Sequence, residues 1–411
     1  MLNEENLRYW RSEMLHQRNP ASTEQEHLPS MLAADAQELQ RQLQLHQARV
    51  FPPTSAKSIR QFAPGEAASF IGIGEAYLRQ LAGELNVPSP LPNGRRLYSA
   101  DDMNLIRRVL DEKNGAPKYV PHRRDGEHLQ VIAVMNFKGG SGKTTTAAHL
   151  AQYLALSGYR VLAVDLDPQA SLSAMYGHQP ELDVGEGETL YGAIRYEEPV
   201  AITEIVRSTY IPNLHLIPGN LELMEFEHDT PRFMAQGANS TMFFARIGEV
   251  LGQIEELYDL VVIDCPPQLG FLTMSALCAA TSVLITIHPQ MLDVMSMSQF
   301  LAMTSELMAV VERAGGRTSY DWMRYLVTRF EPNDGPQSQM TGFMRAIFGN
   351  RMLNTPMLKS TAISDAGVTK QTLYEVERTQ FTRGTYDRAI EALNAVNGEI
   401  EQLVKTTWGR K

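Results

Sequence analysis

Residues 138–145 read Lys-Gly-Gly-Ser-Gly-Lys-Thr-Thr, a glycine-rich run closed by a lysine and two hydroxyls, the residue types that hold nucleotide phosphates. Glycines at 139, 140 and 142 permit positive φ and let a phosphate approach the backbone. Between a strand and a helix, successive N–H groups of such a loop, Ser141 among them, and the helix N-terminus enclose an anion. Lys143 is placed to neutralise β- and γ-phosphates, Thr144 to offer its hydroxyl to Mg²⁺, and Thr145 to hydrogen-bond the α-phosphate. One feature departs from the usual pattern. G-x-x-x-x-G-K-[ST] places a glycine where this chain has Phe137, and a second lysine, Lys138, follows it.

Two acidic motifs accompany the loop. "VLAVDLDPQAS" carries Asp165 and Asp167, and "DLVVIDCPP" carries Asp264; each closes an apolar run, and ligands of parallel sheets bind at strand ends. Mg²⁺ needs hard oxygen donors but keeps several waters, so one carboxylate near it suffices. Asp264 suits that role, with Asp165 close behind the loop. Asp167, two residues on, is placed to face the γ-phosphate and orient the attacking water.

The elements that must position these groups follow from hydrophobic runs at 129–135, 160–165, 213–219, 260–267, 282–289 and 323–330. Short, continuously apolar and separated by helix-length segments, they predict strands buried on both faces: an α/β fold with a mostly parallel sheet flanked by helices. A last helix, about 383–406, sets Ile390, Leu393, Val396, Ile400 and Leu403 on one side, to pack on that sheet or on a second subunit.

Upstream the character changes. Residues 55–125 hold eleven Lys/Arg against eight Asp/Glu, although the whole chain of 411 residues carries a formal charge of −10; any nucleic-acid surface must therefore be local. "FAPGEAASFIGIGEAYLRQLAGEL" predicts two helices, 64–71 and 74–85, joined through Gly72 and Gly74 at helix-turn-helix spacing. A turn at Pro92-Asn93-Gly94 tipped with Arg95 and Arg96 follows, then Ser99 as the N-cap of a helix with Asp101 and Asp102 in its first turn. Gly94 to Ser99 with Asp102 resembles the wing and following helix of MerR-type winged helix-turn-helix domains. That resemblance implies that Glu75, Ala76, Tyr77 and Arg79 meet base edges, and that Arg95 and Arg96 meet phosphates or the minor groove. "NGAPKYVPHRRDGEH", 114–128, reads as an interdomain linker. Residues 31–51 place Leu32, Ala36, Leu39, Leu43 and Val50 on one stripe of a helix stopped by Pro52-Pro53, serving either its own chain or a dimer.

Lys138-Gly-Gly-Ser-Gly-Lys143-Thr144-Thr145, with Asp165-Leu-Asp167-Pro-Gln and Asp264-Cys-Pro-Pro, resembles the deviant Walker P-loop ATPases of the ParA/MinD group over roughly 129–405. A preceding helical arm and winged unit is similar to the long ParA proteins, and "LVTRFEPNDGPQSQM", 326–340, resembles the RepA partition proteins of plasmids. The resemblance divides the chain into a helical arm at 1–54, a winged helix-turn-helix at 55–113, a linker at 114–128 and the ATPase domain at 129–411. It implies ATP/ADP and Mg²⁺ as cofactors, and a homodimer sandwiching two ATP molecules in which each Lys138 reaches the neighbour's nucleotide. It further implies nonspecific DNA binding by the ATP dimer, hydrolysis stimulated by a ParB-type centromere-binding partner, and operator binding with autorepression in the ADP state. Lys359 and Lys370, within 357–375, lie where the family carries basic residues for nonspecific DNA.

Two relatives within the group read differently. A MinD-type membrane helix is basic, whereas the last helix here carries Glu391, Glu399 and Glu401, so no membrane partner is expected. Nitrogenase-like reductases bridge a cluster with two cysteines per subunit; Cys265 sits inside the Asp264 motif and Cys278 only thirteen residues on, which argues against one. Two cysteines, the lack of a signal-peptide core in the first residues and no uninterrupted apolar run of about 18 predict a cytoplasmic protein; the ParA resemblance implies that it is nucleoid-associated when ATP-bound.

Overall fold

The computed structural model describes residues 27–50, 57–236 and 242–410. Most of the first 54 residues therefore lie outside the described residues, apart from helix α1, Leu28–Val50. Its Leu32, Ala36 and Leu39 are exposed, so this part of the stripe faces solvent. The chain divides into two compact units, Met1–Ala56 and Lys57–Lys411.

The second unit opens with three helices, α2 (Pro64–Ile71), α3 (Glu75–Leu85) and α4 (Ala100–Asn114). Pro64 at the first position starts α2 without wasting a helix donor, and Gly72 at φ 80° ends it where a left-handed residue is needed. Ser99 caps α4: its Oγ accepts from the Asp102 N–H at 3.1 Å, and the Asp102 carboxylate accepts from the Ser99 N–H at 2.8 Å. This reciprocal pair is a capping box. Ser99→Ala is expected to destabilise the unit by about 1 kcal/mol, read by denaturant melts; an unchanged midpoint would show that the cap carries nothing.

A seven-stranded sheet follows, in the order β3-β4-β2-β5-β1-β6-β7. Its strands are β1 (Gln130–Met135), β2 (Val161–Asp165), β3 (Arg207–Ser208), β4 (Leu214–Ile217), β5 (Leu260–Asp264), β6 (Ser282–Ile287) and β7 (Trp322–Val327). All neighbours are parallel except the β3–β4 edge. β1, β2, β5 and β6 are buried along their whole length because helices cover both faces, which is why these segments are apolar without alternation. One core lies on each face. The first includes Leu150 and Leu154 of α5 (Lys143–Leu156) and Leu393, Val396 and Ile400 of the C-terminal helix Arg383–Thr407, and it continues into Phe62, Leu78, Leu81, Tyr98 and Ile106 of the three-helix segment upstream of the sheet. The predicted stripe of the last helix thus packs on its own chain, with Leu403 at the margin.

The 115–128 stretch has no helix or strand but is tied down. The Asp111 carboxylate accepts from the N–H groups of Lys118, Tyr119 and Val120. The Arg123 N–H donates to Asp259 at 2.8 Å, and the Arg410 guanidinium donates to the carbonyls of Pro121 and His122. Among the described residues one helix, Met291–Arg313, is long and apolar enough to cross a bilayer by length and composition; Asp293 and Glu306 interrupt its apolar run.

Candidate functional site

β1 delivers the chain into the loop 136–142, and α5 begins at Lys143, the strand–loop–helix order that the motif requires. Gly140 and Gly142 take φ of 75° and 85°, where a Cβ is penalised. Gly139 is not left-handed; a Cβ there would meet open space, so close approach rather than positive φ is what it offers. Among the described residues the N–H groups of Gly139, Gly140, Gly142, Lys143, Thr144 and Thr145 find no oxygen partner. Unpaired donors converging at a helix N-terminus are an anion site.

The loop is braced from outside by residues that its own motif does not contain. The Asn136 Oδ1 accepts from the Lys138 N–H at 3.0 Å and its amide donates to the Thr286 carbonyl. Thr328 donates to the Ser141 carbonyl at 2.7 Å, and Thr286 and Ser141 hydroxyls lie 3.1 Å apart. The Arg329 guanidinium donates to the Gly140 carbonyl at 3.2 Å from a left-handed backbone, φ 52°. Phe137, in place of a glycine, stacks on Phe300 at 5.1 Å and pins the start of the loop to the helix Met291–Arg313.

The two lysines have separate surroundings. Lys143 is only 6 % exposed; burial lowers its pKa, and the charges of Asp264 and Asp167 oppose that. Lys138 is half-exposed and forms an ion pair with Asp293 in the first turn of the helix Met291–Arg313. Asp293 also lies 3.4 Å from His288 Nδ1, whose pKa is lowered by burial and then by the nearby cations Arg329 and Lys138.

Sheet register brings the acids together. Asp165 and Asp264 are paired Cα partners across β2 and β5, and Asp264 also pairs Val134 of β1, just before the loop. Both are fully buried. Asp165 uses its oxygens inside the chain: one accepts from the Asp167 N–H at 3.2 Å, the other from Ser173 N–H and Oγ at 2.8 and 2.7 Å. Burial raises its pKa to about 7 despite these bonds. Ser173 Oγ in turn accepts from the Gly219 N–H at 2.9 Å, so Asp165 fixes the course of the chain beyond β2. Among the described residues neither Asp264 oxygen has a hydrogen-bond partner. Burial first and the Asp165 charge second push its pKa well above the carboxylate range, with Thr144 and Lys143 pulling back. Asp167 is half-buried and accepts from the Gln169 N–H at 3.0 Å.

A buried carboxylate with both oxygens orphaned beside Lys143 and Thr144 is the environment that a hydrated divalent cation completes. Asp264 and the Thr144 hydroxyl would hold Mg²⁺, directly or through water, and the ion would supply charge neutralisation of the phosphates; Asp165, with its oxygens spent, fits a positioning part. No cluster of three His, Cys, Asp or Glu forms among the described residues.

The predicted DNA contacts lie elsewhere. Glu75, Ala76, Tyr77 and Arg79 are exposed on the first turns of α3, where Glu75 and Arg79 pair with each other. No strand forms a wing; residues 91–95 make a tight turn closed by Leu91 N–H to Arg95 carbonyl at 2.7 Å. Arg95 is exposed, whereas Arg96 is half-buried and donates to the Pro88 carbonyl. Lys359 is exposed and pairs with Glu331 at 2.9 Å; Lys370 is half-buried, in a left-handed turn at φ 53°.

With this geometry in hand, comparison with known proteins is specific. A family model described as AAA domain matches residues 129–313. "Putative replication protein A" of Rhizobium rhizogenes is 64 % identical over 389 residues, covering 93 % of this chain and 96 % of that one. "Chromosome partitioning protein ParA" of Caulobacter vibrioides is 30 % identical over 245 residues, covering 58 % of this chain and 84 % of that one. A solved structure titled "Partition Protein" superposes with a TM-score of 0.58 at 17 % identity, over 86 % of this chain and 99 % of that one, a likeness of fold. The chain belongs to the ParA/MinD group of deviant Walker P-loop ATPases, among the long forms that include the RepA proteins.

Proposed function

We propose that this protein is a partition ATPase that segregates a low-copy plasmid or secondary replicon. ATP binds in the 138–145 loop with Mg²⁺ at Thr144 and Asp264, and two chains close face to face on two nucleotides. Lys138 then leaves Asp293 and reaches the nucleotide of the other subunit, where extra cations offset the repulsion of two triphosphates. The ATP dimer holds DNA without sequence preference through Lys359 and Lys370. A ParB-type centromere-binding partner stimulates slow hydrolysis, in which Asp167 orients the attacking water, and the cycle restarts. In the ADP state the winged segment, 55–113, reads the operator through α3, Arg95 and Arg96 and represses the operon. The protein works in the cytoplasm, on the nucleoid when ATP-bound, without a membrane.

The observation that carries this reading is the division between the lysines: Lys143 is buried, with Asp264 and Asp167 acting on its charge, while the Lys138 side chain is half-exposed and held by an ion pair to Asp293. Lys138 is the half-exposed member of that pair and Asp293 the nearly buried one; a triphosphate competes for the ammonium while His288 stays 3.4 Å from Asp293. Lys138→Gln is expected to bind ATP and lose ATP-dependent binding to random DNA; Asp167→Ala is expected to lose hydrolysis and stay on DNA. Replacing Lys359 or Lys370 by glutamine should lower the slope of log affinity against log salt by about 0.9 for each DNA phosphate that is no longer neutralised.

The exposed first turns of α3 favour a second reading, a repressor whose operator affinity ATP merely switches. Normal cargo segregation by both the Lys138 and the Asp167 variants, with only promoter control altered, would decide for it.

A further inference from the structure

Lys57 is the first residue of the compact unit that holds both the winged segment and the nucleotide site. Its side chain is 17 % exposed and its ammonium donates to the carbonyls of Met175 and Lys370. It also donates to Glu375 at 3.1 Å, with the Tyr210 hydroxyl at 3.4 Å. An ammonium has three protons, and two carbonyls with one carboxylate use them all. Glu375 has no side-chain exposure; its other oxygen accepts from Gln152 and from the Thr372 N–H, both at 3.0 Å. Removing any member leaves a buried charge or carbonyl uncompensated, so the cluster is held together or broken as a unit.

Its members come from the moving parts of the proposed cycle. The Met175 carbonyl ends the helix Ser171–Met175, which starts four residues after Asp167 and contains Ser173, the partner of Asp165. Gln152 lies on α5, the helix that Lys143 begins. Lys370 is the half-buried lysine assigned to nonspecific DNA. Lys57 itself leads through Arg60, paired with Glu66 of α2 at 2.6 Å, to Phe62, whose backbone pairs with Tyr98 after the arginine turn. A second cation makes a parallel attachment: the buried Arg107 of α4 donates to the carbonyl of Leu156, the last residue of α5. The winged segment is therefore fastened to the far end of the phosphate helix and to the segment following Asp167.

We infer that Lys57 couples nucleotide state to the choice of DNA. A shift of the Asp167–Met175 segment around a γ-phosphate withdraws one of the three acceptors of Lys57, and the ammonium carries the change to the winged segment and to the Lys370 turn together. This rests on the reading that operator and nonspecific DNA are bound in different nucleotide states.

The test uses full-length Lys57→Met, with anisotropy on own-promoter and random duplexes in ADP and in a slowly hydrolysed ATP analogue, alongside binding of a fluorescent ATP. The wild-type ratio of operator affinities between the two nucleotides, in the roughly 5–150-fold range of protein coupling, is expected to collapse to about one while ATP affinity is retained. If the methionine variant fails to fold, Lys57→Arg, which keeps the charge opposite Glu375 but not the three-proton geometry, is read instead: a reduced ratio supports the coupling. A folded variant that keeps the wild-type ratio overturns it. A wild-type chain with equal operator affinity in both nucleotides overturns the underlying reading and this inference with it.

Discussion

Lys143→Ala is expected to abolish nucleotide binding at cellular concentrations. Lys143 faces the anion nest from inside the protein, 6 % exposed, with no competing ion pair among the described residues other than the electrostatic pull of Asp264 and Asp167. Its loss removes charge-assisted hydrogen bonds to β- and γ-phosphates worth about 1.5–3 kcal/mol each, so affinity should fall by roughly 10²–10⁴. Calorimetric titration with ATP and Mg²⁺ reads this directly. Retention of affinity within tenfold of wild type would mean that the backbone nest alone holds the phosphates. Lys138→Gln should leave the same titration nearly unchanged, which separates the two lysines by measurement as the fold separates them by position.

Asp264→Asn should have two effects of opposite sign. Without Mg²⁺ the wild-type Asp264 keeps its proton well above the carboxylate range because it is buried and because Asp165 lies beside it. In the unfolded chain it ionises near the ordinary value of about 3.9. The folded state therefore binds more protons, and stability falls as pH rises above about 4. Asp165 adds to the decline until its own pKa of about 7. His149 runs the other way, its folded pKa lowered by burial to about 4, so stability from that group grows with pH up to the unfolded value of about 6.5. His149 is present in both proteins, whereas asparagine cannot ionise and removes one of two neighbouring buried acids, so the melting temperature of Asp264→Asn should rise relative to wild type as pH increases from about 5 to about 8. If Asp264 holds the phosphate-bound cation as proposed, hydrolysis should fall by about 10² or more. Parallel melting curves across that pH range would refute the assignment of Asp264 as an uncompensated acid.

Local chemistry made much of this legible. Gly72 and Pro64 mark helix boundaries through backbone preferences and Ser99 through its capping hydroxyl, and the expected helices 64–71 and 74–85 are found at Pro64–Ile71 and Glu75–Leu85. The central strands were visible because burial on both faces leaves continuous apolar runs. Their ends ran long: 260–267 stops at Asp264 because two prolines follow and cannot donate to a ladder. β3, two residues on an antiparallel edge, has no pattern to read. The short helices between 171 and 205 are likewise too brief to show a period. In the site, the phosphate loop and the three aspartates could be found because they sit within contiguous motifs. Asp293, Thr286, Thr328, Arg329 and Ser173 could not, since sheet order rather than sequence distance brings them there. Only Thr328 and Arg329 had a hint, inside the "LVTRFEPN" stretch.

The way the three helices α2 to α4 sit on the ATPase has a consequence for how such proteins can be related by gain or loss of parts. Phe70 of α2 packs 5.7 Å from Tyr153 and 6.2 Å from Tyr374, and Arg107 supplies the donor for the last carbonyl of the phosphate helix. The upstream segment is thus the outermost layer of the catalytic domain, standing where solvent would otherwise be. A shorter relative without it must resurface that face with polar side chains and end its phosphate helix with a cap of its own. Grafting or deleting the upstream segment is therefore not a matter of joining beads on a string: it requires coordinated change at residues some fifty to three hundred positions away.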